Sequence, residues 1–314
     1  MNVFVTGGTG EIGRPALAAL VASGHVVQVS SRSDANDRMI LSLGAIPLRT
    51  ELLDRLSVQA AVNDADAILH LATRIPPPAE MGDISAWLEN DRLRRETTEY
   101  LVDAAREHEV SVVVLQSYFA VRAPGGEDWI RDDPAARQQS WSDIEVMESA
   151  RDAELTMRKL ESTDTRAVIL RFGSLYSETS DQLQAQVSAL QAGAAVVPGD
   201  GTNYWPFIAS GDAGRAVAQA LTIPSGTYHV ADDEPVQMRA FWRMAASAVG
   251  VSEPPVGGGP TGPMAEMLLG SWRLANAPFR TAAHWEPEIA SVETGWPRAA
   301  ARFLSRAPAT AAHG

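Results

Sequence analysis

The chain has 314 residues, 45% hydrophobic and 21% charged, an ordinary globular composition that excludes a disordered protein and suits one large α/β domain with a smaller lobe. Its net charge of −13 argues against a nucleic-acid or anionic-membrane partner. The absence of cysteine rules out disulfides, thiolate nucleophiles and cysteine-bound zinc. No apolar run reaches membrane-spanning length and the first strand starts two residues after Met1, so the expectation is a cytoplasmic protein with no metal site.

The apolar run over residues 3–5 leads into Thr6-Gly7-Gly8-Thr9-Gly10-Glu11-Ile12-Gly13 and then a helical pattern. This is strand, glycine turn, helix. A dinucleotide pyrophosphate sits against a helix N-terminus, where free N–H groups and the positive dipole end attract it and where a Cβ would block its approach. Gly7 supplies the tight turn, Gly10 the approach of backbone to phosphate, and Gly13 close packing of the helix on the sheet; Thr9, Glu11 and Ile12 complete the loop. Pro15 suits a first helical turn, Leu17, Leu20 and Val21 share a face, and Gly24 marks the stop. The pattern TGxxGxxG resembles the extended short-chain dehydrogenase/reductase superfamily, the group that includes the NAD-dependent epimerase/dehydratases. The resemblance implies an α/β fold of Rossmann type, a doubly wound parallel sheet over residues 1–172. A smaller C-terminal substrate lobe is expected over 173–306, with some strands returning to the main sheet, and a frayed tail over 307–314.

The second strand is expected over 26–30, and its end selects the cofactor. An acidic residue there would bind the ribose 2′-hydroxyl and exclude a 2′-phosphate. The chain offers Ser31 and Arg32 instead, with Arg32 nineteen positions after Gly13, and a guanidinium suits phosphate. NADP is favoured; Asp34, if it reached the ribose, would make NAD the alternative. Beyond a polar stretch, residues 67–73 read as the fourth strand and its exit, where Leu71, Ala72 and Thr73 are expected beneath the cofactor. His70 within this strand is expected to be a packed residue. Three prolines break the chain at 76–78, and a helix is expected over 85–109. On this helix Arg94 stands where the similar family usually has asparagine. The β-branched run over 111–115 suits a strand covered on both faces.

That strand delivers Ser117 and Tyr118 to its carboxyl end, the edge where open parallel sheets bind ligands. Ser117 resembles the family's catalytic serine. A loop over 123–134 precedes a helix expected over 142–160, where the family carries YxxxK, a tyrosine acid/base whose pKa the lysine lowers. Aligning Ser149 and Ala153-Glu154 with the family's YxxSKxxAE puts Val146 at the tyrosine and Ala150 at the lysine, and no tyrosine lies between Tyr118 and Tyr176. The substitute acid candidates are Ser117, Tyr118 and Glu148, of which Glu148 lies about 200° around the helix from the tyrosine position. Downstream, a strand over 167–171, "RFGSLY", "YHVADDEPV" and "HWEP" resemble further segments of the extended group, and residues 253–263 form a span that either lids a pocket or links two helices. Trp205, Trp242 and Trp272 either face a flat substrate or fill the core.

Three functions follow: an NADP-dependent oxidoreductase on a small carbonyl or hydroxyl metabolite with a displaced proton donor; a non-redox isomerase, cyclase or lyase; and a nucleotide-sensing protein without turnover. The expected partner is a small molecule, and the chain is a monomer or a homodimer. In the resembled family dimers pair through the helices that correspond to 85–109 and 142–160.

Overall fold

Alternate residues of a strand face opposite sides of a sheet, and the strands here are apolar on both. Val3 and Val5 pack into one hydrophobic cluster while Phe4 packs into another; Ala67 and Leu69 against Ile68, and Val112 and Val114 against Val113 and Leu115, divide in the same way. Such strands are stable only with helices on both faces.

The computed structural model describes residues 1–77, 79–131, 133–135, 141–258, 261 and 264–306; the tail over 307–314 and part of the span over 253–263 lie outside the described residues. The chain runs β1 (Asn2–Thr6), α1 (Gly13–Ala22), β2 (Val26–Ser31), α2 (Asp34–Ser42), β3 (Ile46–Arg49), α3 (Arg55–Val62) and β4 (Ala67–His70). Then come a helix over 84–107 (α4), β5 (Val112–Tyr118), α5 (Glu148–Met157), β6 (Arg166–Phe172), α6 (Asp181–Gln191), α7 (Ser210–Gln219) and β7 (Gly226–Val230). The seven strands form one parallel sheet in the order β7-β6-β5-β4-β1-β2-β3. The order reverses between β1 and β4, so a crevice opens at the carboxyl ends of those strands.

Several elements differ from expectation for local reasons. The polar stretch over 32–66 hides α2, β3 and α3, whose starts are set by side-chain caps: Ser33 accepts from the Asn36 N–H and Asp54 from the Leu56 N–H. The strand expected over 111–115 spans Val112–Tyr118, starting one residue later and running three residues farther, which brings Tyr118 opposite Phe172. The helix expected from 142 begins only with a tight turn at Glu145–Met147, because Ser142 is held by Val121 and Ala120 carbonyls and Ile144 is extended. Helix α4 opens as a 3-10 turn (Ile84–Trp87), continues as Leu88–Arg92, widens to a π turn at Leu93–Thr97 and resumes at Thr98–Glu107.

The C-terminal half builds its own cluster around Phe207, Phe241, Trp205, Trp272 and Trp296. Trp205 and Trp272 are buried edge-to-face with each other and with Phe119, so they fill core. Trp242 packs on the rim of the same cluster. No helix among the described residues is long and apolar enough to cross a membrane.

Candidate active site

The glycine turn is shaped as its spacing demands. Gly7 has φ +70°, and a Cβ there would lie 2.5 Å from the backbone of Leu71 and Ala72, so glycine is what lets the exit of β4 pass against the turn. A Cβ on Gly13 would lie 2.3 Å from the Gly7 carbonyl oxygen. Its close neighbour is therefore the glycine turn rather than the sheet. Ile12 at the N-cap of α1 offers no side-chain hydrogen bond; the Arg14 N–H donates to the Gly10 carbonyl at 3.1 Å and Pro15 has no N–H, so Gly13 is the first-turn residue with an N–H to offer an outside acceptor.

Glu11 is tied to the C-terminal half. Its carboxylate accepts from Ser210 at 2.7 Å and Ser177 at 3.2 Å, so the glycine turn and the segments after β6 are held together. Burial pushes the Glu11 carboxyl above the ordinary range, opposed by the hydroxyls and by Arg14. At the end of β2, Ser31 is buried and donates to Asp37 at 2.5 Å. Arg32 is exposed and lies 3.6 Å from Glu89, which Arg74 also approaches at 3.6 Å. Asp34 pairs with Arg49, a partner that draws its carboxylate to β3.

Behind the β4 exit, the Thr6 hydroxyl donates to His70 Nδ1 at 2.7 Å and accepts from the Ala72 N–H at 3.3 Å. The other ring nitrogen, Nε2, donates to the Leu93 carbonyl in the π turn, and burial lowers the His70 pKa to about 4. His70 is thus a neutral strut that holds Leu71 and Ala72 in place and joins β4 to α4. Thr73 follows them on the half-buried part of the loop.

At the carboxyl end of β5 the geometry departs from simple reading. Ser117 is buried and donates its hydroxyl to Glu154 Oε1 at 2.5 Å. Glu154, from α5, is held bidentately by Arg171 of β6 at 2.9 and 2.6 Å, and Trp141 covers the guanidinium with its ring centroid 5.3 Å away. Both charges are buried. Tyr118 is the last residue of the strand and half-buried, with its hydroxyl bonded to Ser174; burial pushes its pKa up to about 12, while Ser174 and the charge of Arg94 pull against that. Ser117 and Tyr118 therefore meet at one edge with Arg94, Glu154 and Ser174. Glu148 stands apart: it is exposed at the start of α5, 3.8 Å from Arg151. Val146 and Ala150 are buried in an apolar cluster, and Tyr176 turns away to donate to Asp232 at 3.2 Å.

Arg94 and the Glu154–Arg171 pair were not singled out as site residues by sequence reasoning. The signal for Arg94 was its presence where the similar family has asparagine. Glu154 and Arg171 stood inside two quoted motifs, but nothing in one dimension joins them.

Residues 3–231 match the NAD dependent epimerase/dehydratase family. Among similar proteins is a Streptomyces protein named 3-diazoavenalumate denitrifying reductase, 30% identical over 94% of this chain and 99% of that one. Another is the Dictyostelium discoideum sterol-4-alpha-carboxylate 3-dehydrogenase, decarboxylating, 23% identical over 80% of this chain and 77% of its own. The fold is shared with the human epimerase family protein SDR39U1 in complex with NADPH, at TM-score 0.78 and 21% identity over 96% and 99% of the two chains. It is shared too with the Thermus thermophilus UDP-glucose 4-epimerase in complex with NAD, at TM-score 0.74 and 22% identity over 98% and 100%. With the match spanning the glycine turn, the crevice and all seven sheet strands except Asn2, the first residue of β1, the chain belongs to the NAD dependent epimerase/dehydratase family, within the extended short-chain dehydrogenase/reductase superfamily, and is an enzyme of the NAD(P)-dependent oxidoreductase or epimerase kind.

Proposed function

We propose that the protein is an NADP-dependent oxidoreductase acting on a small carbonyl or hydroxyl metabolite, with Tyr118 as proton donor. The observation that carries this reading is the Tyr118 hydroxyl at the carboxyl edge of β5, protonated at neutral pH and beside Ser174 and a cation. A group exchanging a proton with substrate oxygen must sit at that edge. Ser117 has its own proton committed to Glu154, so it acts by anchoring the end of the strand. Glu148, exposed and beside Arg151, has no role in this reading.

The start of α1, which has no side-chain cap, and the space that Gly10 leaves free, with only the Gly7 carbonyl near its Cβ position, fit a dinucleotide. Gly7, Thr9, Gly10, Glu11, Ile12 and Gly13 would hold the pyrophosphate, Ser31 and Arg32 the adenosine ribose and its 2′-phosphate, and Leu71, Ala72 and Thr73 the ring end. When bound, the nicotinamide supplies a hydride. Preference for NADP rests on charge: Arg32 and Arg74 share the single carboxylate of Glu89, a surplus of positive charge suited to phosphate, and Asp34 is engaged with Arg49.

A second reading is favoured by the similarity to a denitrifying reductase at 30% identity. A diazonium group that takes up a hydride and leaves as N2 produces no oxyanion, so such a substrate has no use for a tyrosine at the position of Val146.

Titration with NADPH and NADH, followed by nicotinamide fluorescence, tests the cofactor assignment. NADPH should bind more tightly, and Arg32→Ala should weaken NADPH about ten-fold or more while leaving NADH unchanged. Equal effects on both would refute the role of Arg32, and no binding by either would shift the reading to the non-redox or partner-binding alternatives.

A further inference from the structure

Arg94 is a buried cation with no hydrogen bond or ion pair among the described residues. It is 9% exposed, its Nη1 has no hydrogen-bond partner among the described residues, and burial draws its pKa down to about 10. The carboxylates that act on it are Asp91 and Glu154, and Glu154 is already bidentate to Arg171. A structural arginine this deep is ordinarily paired, because a buried unpaired charge is strongly destabilising.

A second donor lies on the same face. Asn90, four residues earlier and fully buried, accepts the Arg74 N–H on its Oδ1 at 3.0 Å. That bond fixes which end of the amide is oxygen, and the opposite end, Nδ2, is buried without an acceptor. Residues four apart are neighbours on a helix surface. Asn90 binds the loop leaving β4, and Arg94 acts electrostatically on His70 and Tyr118, the last residues of β4 and β5. Both unmet donors therefore lie on α4 behind the carboxyl ends of β4 and β5, the edge that borders the crevice, where α4 widens into its π turn, a distortion frequent at functional sites. The cofactor's phosphates have their own cradle at the start of α1, so the missing anion is not theirs.

We propose that Arg94 and Asn90 anchor a carboxylate of the substrate, so that the metabolite reduced beside Tyr118 is an organic acid. This rests on the oxidoreductase reading for the reaction but not for the binding. Two N–H donors, one of them cationic, match two carboxylate oxygens.

The test uses NADP+-loaded protein and a probe pair that differs in charge, 4-hydroxycinnamate and its methyl ester, titrated calorimetrically. The acid should bind about ten-fold or more tightly than the ester. Arg94→Met should bring that ratio to about one, and Asn90→Ala should reduce it several-fold. Arg94→Met should also melt about 3 °C above the wild type without ligand, since it removes an unpaired buried charge. The proposal is overturned if acid and ester bind alike, if neither binds, if Arg94→Met keeps the preference, or if Arg94→Met fails to fold or melts lower, which would make the guanidinium structural. A charge preference in a protein that oxidises NADPH with no carbonyl compound would leave the anchor standing and remove the oxidoreductase reading alone.

Discussion

Replacing Arg171 by methionine should destabilise the protein by about 3–5 kcal/mol. The size follows from the surroundings of Glu154. In the native protein its carboxylate takes two charged hydrogen bonds from Arg171, at 2.9 and 2.6 Å, and one from Ser117 at 2.5 Å. Methionine keeps much of the side-chain volume but leaves a buried carboxylate with the Ser117 hydroxyl as its remaining hydrogen-bond partner among the described residues, and the ring of Trp141 loses the cation it covers, worth about 0.5–1 kcal/mol more. At about 2–4 °C per kcal/mol for a chain of this size, the melting temperature should fall by roughly 6–20 °C. Urea denaturation followed by circular dichroism measures the free energy directly, with an unchanged m-value as the check that the native state is intact. Removing both charges, Glu154→Leu with Arg171→Met, should return stability to within about 1 kcal/mol of the wild type, because neither charge is then left alone. A single substitution costing under about 1 kcal/mol, or a double variant no better than the single one, would refute the idea that the pair is held by mutual compensation in a dry site.

Tyr118→Phe should lower the turnover of a carbonyl substrate about 10²–10⁴-fold and leave NADPH affinity unchanged; in the wild type the reductive rate should be flat from about pH 6 to 10, because the donor is protonated below its pKa of about 12. Loss of NADPH binding in that variant would place the ring in the cofactor site instead. Glu11→Gln should raise the melting temperature at pH 8 and change it little at pH 4: a carboxyl whose folded pKa is raised binds more protons folded than unfolded, so its destabilising contribution grows as pH climbs from the unfolded pKa through the folded one. An equal shift at both pH values would assign the effect to packing. Gly13→Ala should abolish dinucleotide binding, since the added Cβ would lie 2.3 Å from the Gly7 carbonyl oxygen; retained binding by fluorescence titration would show that the turn gives way.

The parts of this protein that were legible in one dimension are those made by neighbours in the chain. The glycine turn, its flanking strand and helix, and the apolar strands of a two-sided sheet each declare themselves within about fifteen residues, because turn geometry and side-chain alternation are local properties. Helices α2 and α3 were harder to see: α2 buries only Ile40 and α3 only Val58, Ala61 and Val62, too thin a stripe to stand out in a polar stretch.

The sequence by itself determined that the chain folds as a dinucleotide-type α/β protein, that no tyrosine lies between Tyr118 and Tyr176, and that Ser117 and Tyr118 end the central strand. Only the tertiary structure decided that Ser117 is spent on Glu154, that Glu148 faces solvent, that His70 is a strut, and that Arg94 Nη1 has no hydrogen-bond partner among the described residues. The reason is that each of these depends on what lies across a gap. Ser117 and Glu154 are 37 positions apart, and Thr6 and His70 are 64. Whether a buried polar group is satisfied is settled by elements brought together from the two sides of the sheet, a property that no window of sequence contains.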